Sequence, residues 1–194
     1  MYKRQPTGQT ARYDPGILVE IELRTYRPED FETLYEIDQA CYDCDTAYSR
    51  SDLRAYLGFL ESECVVAEVR QRQSTREKLS AGENESRNRS DAKIAGFCIS
   101  AHRGAEGYIV TMDVLQQYRR KKVGSALLDE VERRLANTGV RRVGLETATE
   151  NAAAVAFWQK HGYRTRGVRK GYYAGGRDAY SMSKRLADSK TAGQ

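Results

Sequence analysis

Thr111 to Leu135, TMDVLQQYRRKKVGSALLDEVERRL, decides how the chain folds. It opens as a short strand, passes through a basic turn and continues as a helix. Val123, Ala126, Leu127, Val131 and Leu135 recur at helical spacing on one face, with Asp129, Glu130, Arg133 and Arg134 mostly on the others. The turn reads Arg119-Arg120-Lys121-Lys122-Val123-Gly124-Ser125-Ala126. A helix start presents unpaired N–H groups and the positive end of the dipole, which suits an anion such as a pyrophosphate. Gly124 has no side chain to hold an anion off the backbone, and four consecutive cations raise the local potential. The bland alternative is a solvated basic helix start in which Gly124 serves packing.

Working outward, Ile17 to Tyr26 alternates as a first strand, and Pro28-Glu29-Asp30 opens a helix through Phe31, Leu34, Ile37 and Cys41. Ser49 with Asp52 forms a capping box for a second helix holding Leu53, Tyr56, Leu57 and Leu60. Cys64 to Val69 and Lys93 to Ala101 are the next strands. The segment between them, Arg70 to Ala92, has Leu79 as its only large apolar residue and is expected to be a disordered insertion in a hairpin. An RNA-touching arm has little support there, because the segment holds no aromatic residue to stack on a base.

Tyr108 to Leu115 is the fourth strand, and Gly139 ends the long helix that follows. Arg142 to Thr147 is the fifth strand, and Asn151 starts a helix, AAAVAFWQKH, closed by Gly162. Tyr163 to Lys170 and Asp178 to Lys184 are final strands around a Gly-rich turn. The predicted order is β-α-α-β-β-β-α-β-α-β-β, a mixed α/β domain over residues 17–186. Residues 1–16 are expected to be a mobile tail and residues 187–194 a frayed end.

The length suits one domain, and a composition 40% apolar and 30% charged is that of a globular protein. A formal net charge of +5 favours an anionic partner: nucleic acid, a phosphorylated cofactor or a ribosomal surface. No apolar run approaches the roughly 20 residues a bilayer demands, and the first residues lack the apolar core of a secretory signal, so a cytoplasmic location without membrane contact is expected. Cys41 and Cys44 form a lone C-x-x-C without a second pair, and Cys64 and Cys98 read as small core residues, so no metal site is expected. His102 and His161 read as strand-end and helix-end residues without a catalytic role.

On these residues the chain resembles the GNAT superfamily of acetyl-CoA-dependent N-acetyltransferases. The likeness is carried by TMDV, by RRKKVGSALL, and by LETATENAAAVAFWQKHGY followed by RKGYYAGGRDAYSM. It runs from about Val19 to Leu186, outside the insertion. The family's turn is Arg/Gln-x-x-Gly-x-Gly/Ala; here Lys122 occupies the first glycine, which is tolerable where that position keeps an ordinary backbone conformation. The C-terminal third resembles the protein N-terminal acetyltransferases, above all the bacterial ribosomal-protein alanine type, through Asn151 to Ala154, Tyr172-Tyr173 and Arg177-Asp178-Ala179-Tyr180.

The resemblance implies that the fourth and fifth strands splay and that acetyl-CoA lies between them. Met112, Asp113 and Val114 would pair with its pantetheine arm, and the Val114 N–H would face the thioester oxygen. Lys121, Lys122, Val123, Gly124, Ser125 and Ala126 would hold the pyrophosphate, with charge added by Arg119 and Arg120. Glu146 falls where the family carries its general base, and Trp158 where it carries a proton-donating tyrosine. An indole cannot surrender a proton at neutral pH, so Trp158 is expected to shape the acetyl pocket or simply pack. Asn151 fits both a helix cap and a pantetheine contact, and Tyr172, Tyr173 and Tyr180 would receive a peptide N-terminus. The same fold could serve a small amine or a lysine side chain, or bind acetyl-CoA without catalysis, and an RNA-associated protein is a further alternative.

Overall fold

The computed structural model describes residues 18–42, 46–72 and 92–187. The expected tails, the insertion from residue 73 to 91 and Cys44 of the C-x-x-C lie outside the described residues. The elements are β1 (Leu18–Thr25), α1 (Phe31–Cys41), α2 (Arg50–Gly58), β2 (Ser62–Arg72), β3 (Lys93–Arg103), β4 (Glu106–Val114), α3 (Val123–Asn137), β5 (Arg142–Ala148), α4 (Ala152–Lys160), β6 (Arg164–Arg169) and β7 (Ala179–Arg185). Their order is the one predicted, and β2 and β3 form the expected antiparallel hairpin. β2 runs three residues beyond its predicted end, because β1 offers it a partner as far as Leu18↔Arg72. None of the described helices is long and apolar enough to cross a membrane.

The strands form one sheet in the order β1-β2-β3-β4-β5-β7-β6. Every neighbouring pair is antiparallel except β4 and β5, which are joined through α3 and run parallel. On one face Val123, Leu127, Leu128, Val131 and Leu135 of α3 pack with Val65, Cys98, Ile109, Leu145 and Met182. Ala126, expected in that row, is only half-buried, and Leu128 takes its place. On the other face Phe31, Leu34 and Ile37 of α1 and Leu53 of α2 cover Val66, Phe97 and Ile99. Ala95 to Ser100 of β3 are therefore all buried, since this stretch is covered on both faces.

The parallel pair breaks open. β4 and β5 share only Glu106↔Arg142, Gly107↔Val143 and Tyr108↔Gly144. Just beyond, Ser100 pairs with Ile109 and Ile99 with Thr111, so Val110 is an extra residue bulged out of the β3 ladder. A bulge bends its strand and increases the local twist. That is the physical reason why β4 leaves β5 here and the expected splay opens. The bulge also turns Thr111 and Asp113 toward α1 and Met112 and Val114 toward the α3 side, where they pack against its core.

Candidate active site

The crevice between the diverging strands is closed at its narrow end by Tyr108 and Glu146. Glu146 lies two residues past the last rung, on the α1 face, and its side chain is only 6% exposed. One carboxylate oxygen accepts the Tyr108 hydroxyl, and the other pairs with Arg169 Nη1 at 2.9 Å. Burial, the Glu146 carboxylate and the neighbouring Tyr172 hydroxyl together push the Tyr108 phenol far above its ordinary pKa. Tyr108 is thus a donor that keeps its proton. Sequence reading missed it because its partner is 38 residues away.

At the wide end, α3 begins without a capping side chain, so its first N–H groups stay open among the described residues. Gly124 faces the crevice: a Cβ there would lie 3.5 Å from the Phe157 ring and 3.8 Å from Val114. Lys122, which stands at the family's glycine, has φ 67° and Arg120 has φ 62°. The ordinary conformation that would make the replacement harmless is therefore not what the turn adopts. Lys122 occupies the left-handed region that glycine enters without steric cost. The loop keeps its shape and carries the strain.

Several predicted contributors are tied down. Arg119 donates through Nε to the Val114 carbonyl at 2.8 Å, so this guanidinium anchors the strand end as well as adding charge near the turn. Asn151 Oδ1 accepts from the Ala154 N–H at 3.0 Å, which is its capping role. Ser125 Oγ lies 2.9 Å from His161 Nε2, and His161 Nδ1 lies 2.8 Å from the Phe157 carbonyl. A carbonyl can only accept, so Nδ1 carries a proton and donates to Phe157. His161, given no role from sequence, thereby links the end of α4 to the anion-facing turn of α3.

Trp158 is buried in the core, with its ring 5.3 Å from Tyr163 and 5.1 Å from Phe157 in edge-on contacts. Phe157, not Trp158, is the α4 aromatic beside Gly124 and Val114. The three C-terminal tyrosines do not converge. Tyr180 pairs with Thr147, on the face opposite Glu146, and packs against the α3-side core. Tyr172 and Tyr173 stand together on the β6–β7 loop with ring centres 5.0 Å apart, and the Arg169 guanidinium lies 5.0 Å from the Tyr172 ring. Across the cleft, Arg177 of this loop donates to Thr46, and Tyr48 reaches the bulged Val110 carbonyl at 3.4 Å.

Behind β4 sits a buried acidic pair. Asp113 and Asp38 are both closed to solvent, and each leaves one carboxylate oxygen without a partner. Thr111 Oγ1 lies 3.1 Å from Asp113 and 3.2 Å from the Tyr42 hydroxyl, while Asp38 accepts the Tyr48 N–H at 2.8 Å. Burial, then repulsion from Asp38, pushes the Asp113 carboxyl up to about 7. The Asp113 backbone pairs with Phe97 of β3, and its side chain belongs to this cluster.

A parallel pair that parts at a bulge, with an uncapped helix start at one end and a carboxylate at the other, is a slot for an elongated molecule with an anionic tail. Known proteins agree. An N-alpha-acetyltransferase of Saccharolobus solfataricus is 35% identical over 82 residues, 42% of this chain and 49% of that protein. The ribosomal protein bS18-alanine N-acetyltransferase of Escherichia coli is 31% identical over 83 residues, 43% of this chain and 56% of that protein. The chain thus spans about half the length of these curated relatives. The crystal structure of Arabidopsis thaliana NAA60 in complex with acetyl-CoA shares the fold, with a TM-score of 0.67 at 18% identity over 86% of this chain and 99% of that one. The profile of the acetyltransferase (GNAT) family matches residues 31–163, which takes in everything from α1 through the splay to Tyr163, and the chain belongs to that family.

Proposed function

We propose that the protein transfers acetyl from acetyl-CoA to the α-amino group of a protein N-terminus. The single observation that carries this is the placement of Glu146: a nearly buried carboxylate at the closed end of the β4–β5 splay, held at both oxygens. Relatives named as N-alpha-acetyltransferases support the choice of acceptor. A ribosomal protein is one candidate acceptor, and a cytoplasmic setting suits it.

The slot fits acetyl-CoA by this chain's own geometry. The N–H groups of Val123, Gly124 and Ser125 at the uncapped start of α3 face the pyrophosphate, while that of Ala126, also expected there, is donated to the Lys122 carbonyl, and the β4 edge from Met112 to Val114, which β5 leaves unpaired, accepts the pantetheine arm as a further strand. The substrate supplies an activated acetyl group. The Val114 N–H stabilises the charge that grows on the thioester oxygen. Glu146 takes the proton of the attacking amine, directly or through water, as the C–N bond forms and the C–S bond breaks. The thiolate leaves and is protonated by solvent, since thiols hold a proton near pKa 8.5. Tyr108 holds the carboxylate in place, and Arg169 pairs with it until the acceptor arrives.

An α-amino group with a pKa of about 7.7–8.0 is roughly a tenth to a fifth neutral at pH 7, whereas a lysine amine is neutral in about one molecule in a few thousand. A single carboxylate is adequate help for the first and weak help for the second. The test is acetyl-CoA turnover on Ala- and Ser-starting peptides, with pre-acetylated peptides as the blank. Turnover confined to polyamines or free lysine would replace this reading, and tight binding without turnover on any amine would make the protein a binding module.

A further inference from the structure

The mouth of the cleft carries paired charges among the described residues. Arg169 pairs with Glu146 at 2.9 Å, Lys170 with Asp178 at 2.6 Å, and Arg177 with Glu150 at 3.7 Å. The Arg169 side chain is 57% exposed, and it donates through Nη1 to Glu146. A guanidinium offers five N–H donors, and the exposure of this one leaves it room to take a second acceptor.

An arriving N-terminus brings a second positive charge to Glu146. The buried carboxylate can compensate one cation well, and the two repel each other across it. Arg169 lies on the half-open edge strand β6 and is the partner that can move. It does not move far, because its backbone is paired to Ala179 and its guanidinium rests near the Tyr172 ring. Consecutive residues are about 3.8 Å apart, so a displaced guanidinium stays within one or two residues of the reacting nitrogen.

We infer that Arg169 selects acceptors carrying a carboxylate on one of their first two residues. Such an acceptor replaces the Glu146–Arg169 pair with two new pairs, ammonium with Glu146 and carboxylate with Arg169, so neither Glu146 nor Arg169 is left without a counter-charge. A cationic second residue meets Arg169 as a like charge. Arg169 is here a specificity-determining residue, and the inference rests on the N-terminal acceptor reading above.

The test uses the full chain with acetyl-CoA and three peptides, Ser-Glu-, Ser-Ala- and Ser-Lys-, otherwise identical. The wild type is expected to favour Ser-Glu- over Ser-Lys- by about five- to tenfold in kcat/KM, mainly through KM and less so in high salt. Arg169→Glu is expected to invert that order, and Arg169→Lys to keep it. Equal kcat/KM across the wild-type panel, or the same order in Arg169→Glu, overturns the inference while leaving N-terminal acetylation standing. Turnover of a polyamine with no turnover of any peptide removes the acceptor reading and this inference together.

Discussion

The Tyr108 hydroxyl donates to Glu146 directly above Tyr108↔Gly144, the last rung shared by β4 and β5. One strand thus supplies the carboxylate and the other fixes its direction, at the point where the two begin to separate. Glu146→Gln keeps the size and the contact with Tyr108 but cannot take a proton. It is expected to lower kcat by about two to four orders of magnitude with acetyl-CoA affinity retained. Steady-state kinetics beside calorimetry measure both, and wild-type turnover would remove Glu146 as the base.

Tyr108→Phe deletes the donor and leaves the proposed base. The carboxylate then keeps Arg169 alone, so kcat is expected to fall by about an order of magnitude or less, because orientation is lost and chemistry is not. A loss as deep as that of Glu146→Gln would mean that Tyr108 itself moves a proton.

Sequence periodicity reached the elements whose burial repeats locally. α3 shows one apolar row and a chain of acidic and basic residues beside it, and β4 and β5 alternate strictly in burial. The Val110 bulge explains the limit of that reading, because one extra residue reverses the facing of everything after it. Pairs such as Tyr108–Glu146, Ser125–His161 and Asp38–Asp113 were out of reach. They join residues that meet only after the crossover and sheet order are known, and no local spacing encodes them. Trp158 and Tyr180 carried family-derived roles beside the alternative of packing, and both lie against the α3-side core.

Lys122 supplies a stability prediction. At φ 67° a side chain costs about 1 kcal/mol relative to glycine, less the extra chain entropy glycine brings to the unfolded state. Lys122→Gly is therefore expected to raise the melting temperature by a few degrees, and to hold or improve coenzyme A affinity. A drop in melting temperature would show that the lysine side chain contributes more than its backbone costs.

The hairpin ends next to residues 73–91 are already joined, since Val69 pairs with Lys93. Replacing 73–91 with a short Gly-Ser turn is expected to leave the melting temperature within a few degrees and acetyl-CoA binding unchanged. Closing a shorter loop costs the unfolded chain less entropy, which offsets lost contacts. A large destabilisation would show that the segment packs on the domain.

Asp113 makes stability depend on pH in a definite direction. Its carboxyl titrates near 7 in the folded chain and near 3.9 when unfolded. Below about pH 4 both states hold the proton and the site is neutral to stability. Between about 4 and 7 the unfolded state releases its proton while the folded state retains it, so stability falls as pH rises, by up to about 4 kcal/mol, and levels off above 7. Asp113→Asn keeps a neutral group of the same size beside Thr111 and Tyr42 and removes the titration. Its melting temperature is therefore expected to gain on the wild type progressively from pH 5 to pH 8. A constant difference across that range would mean that Asp113 is already ionised in the fold, and that Asp38 and Tyr42 hold a charge there.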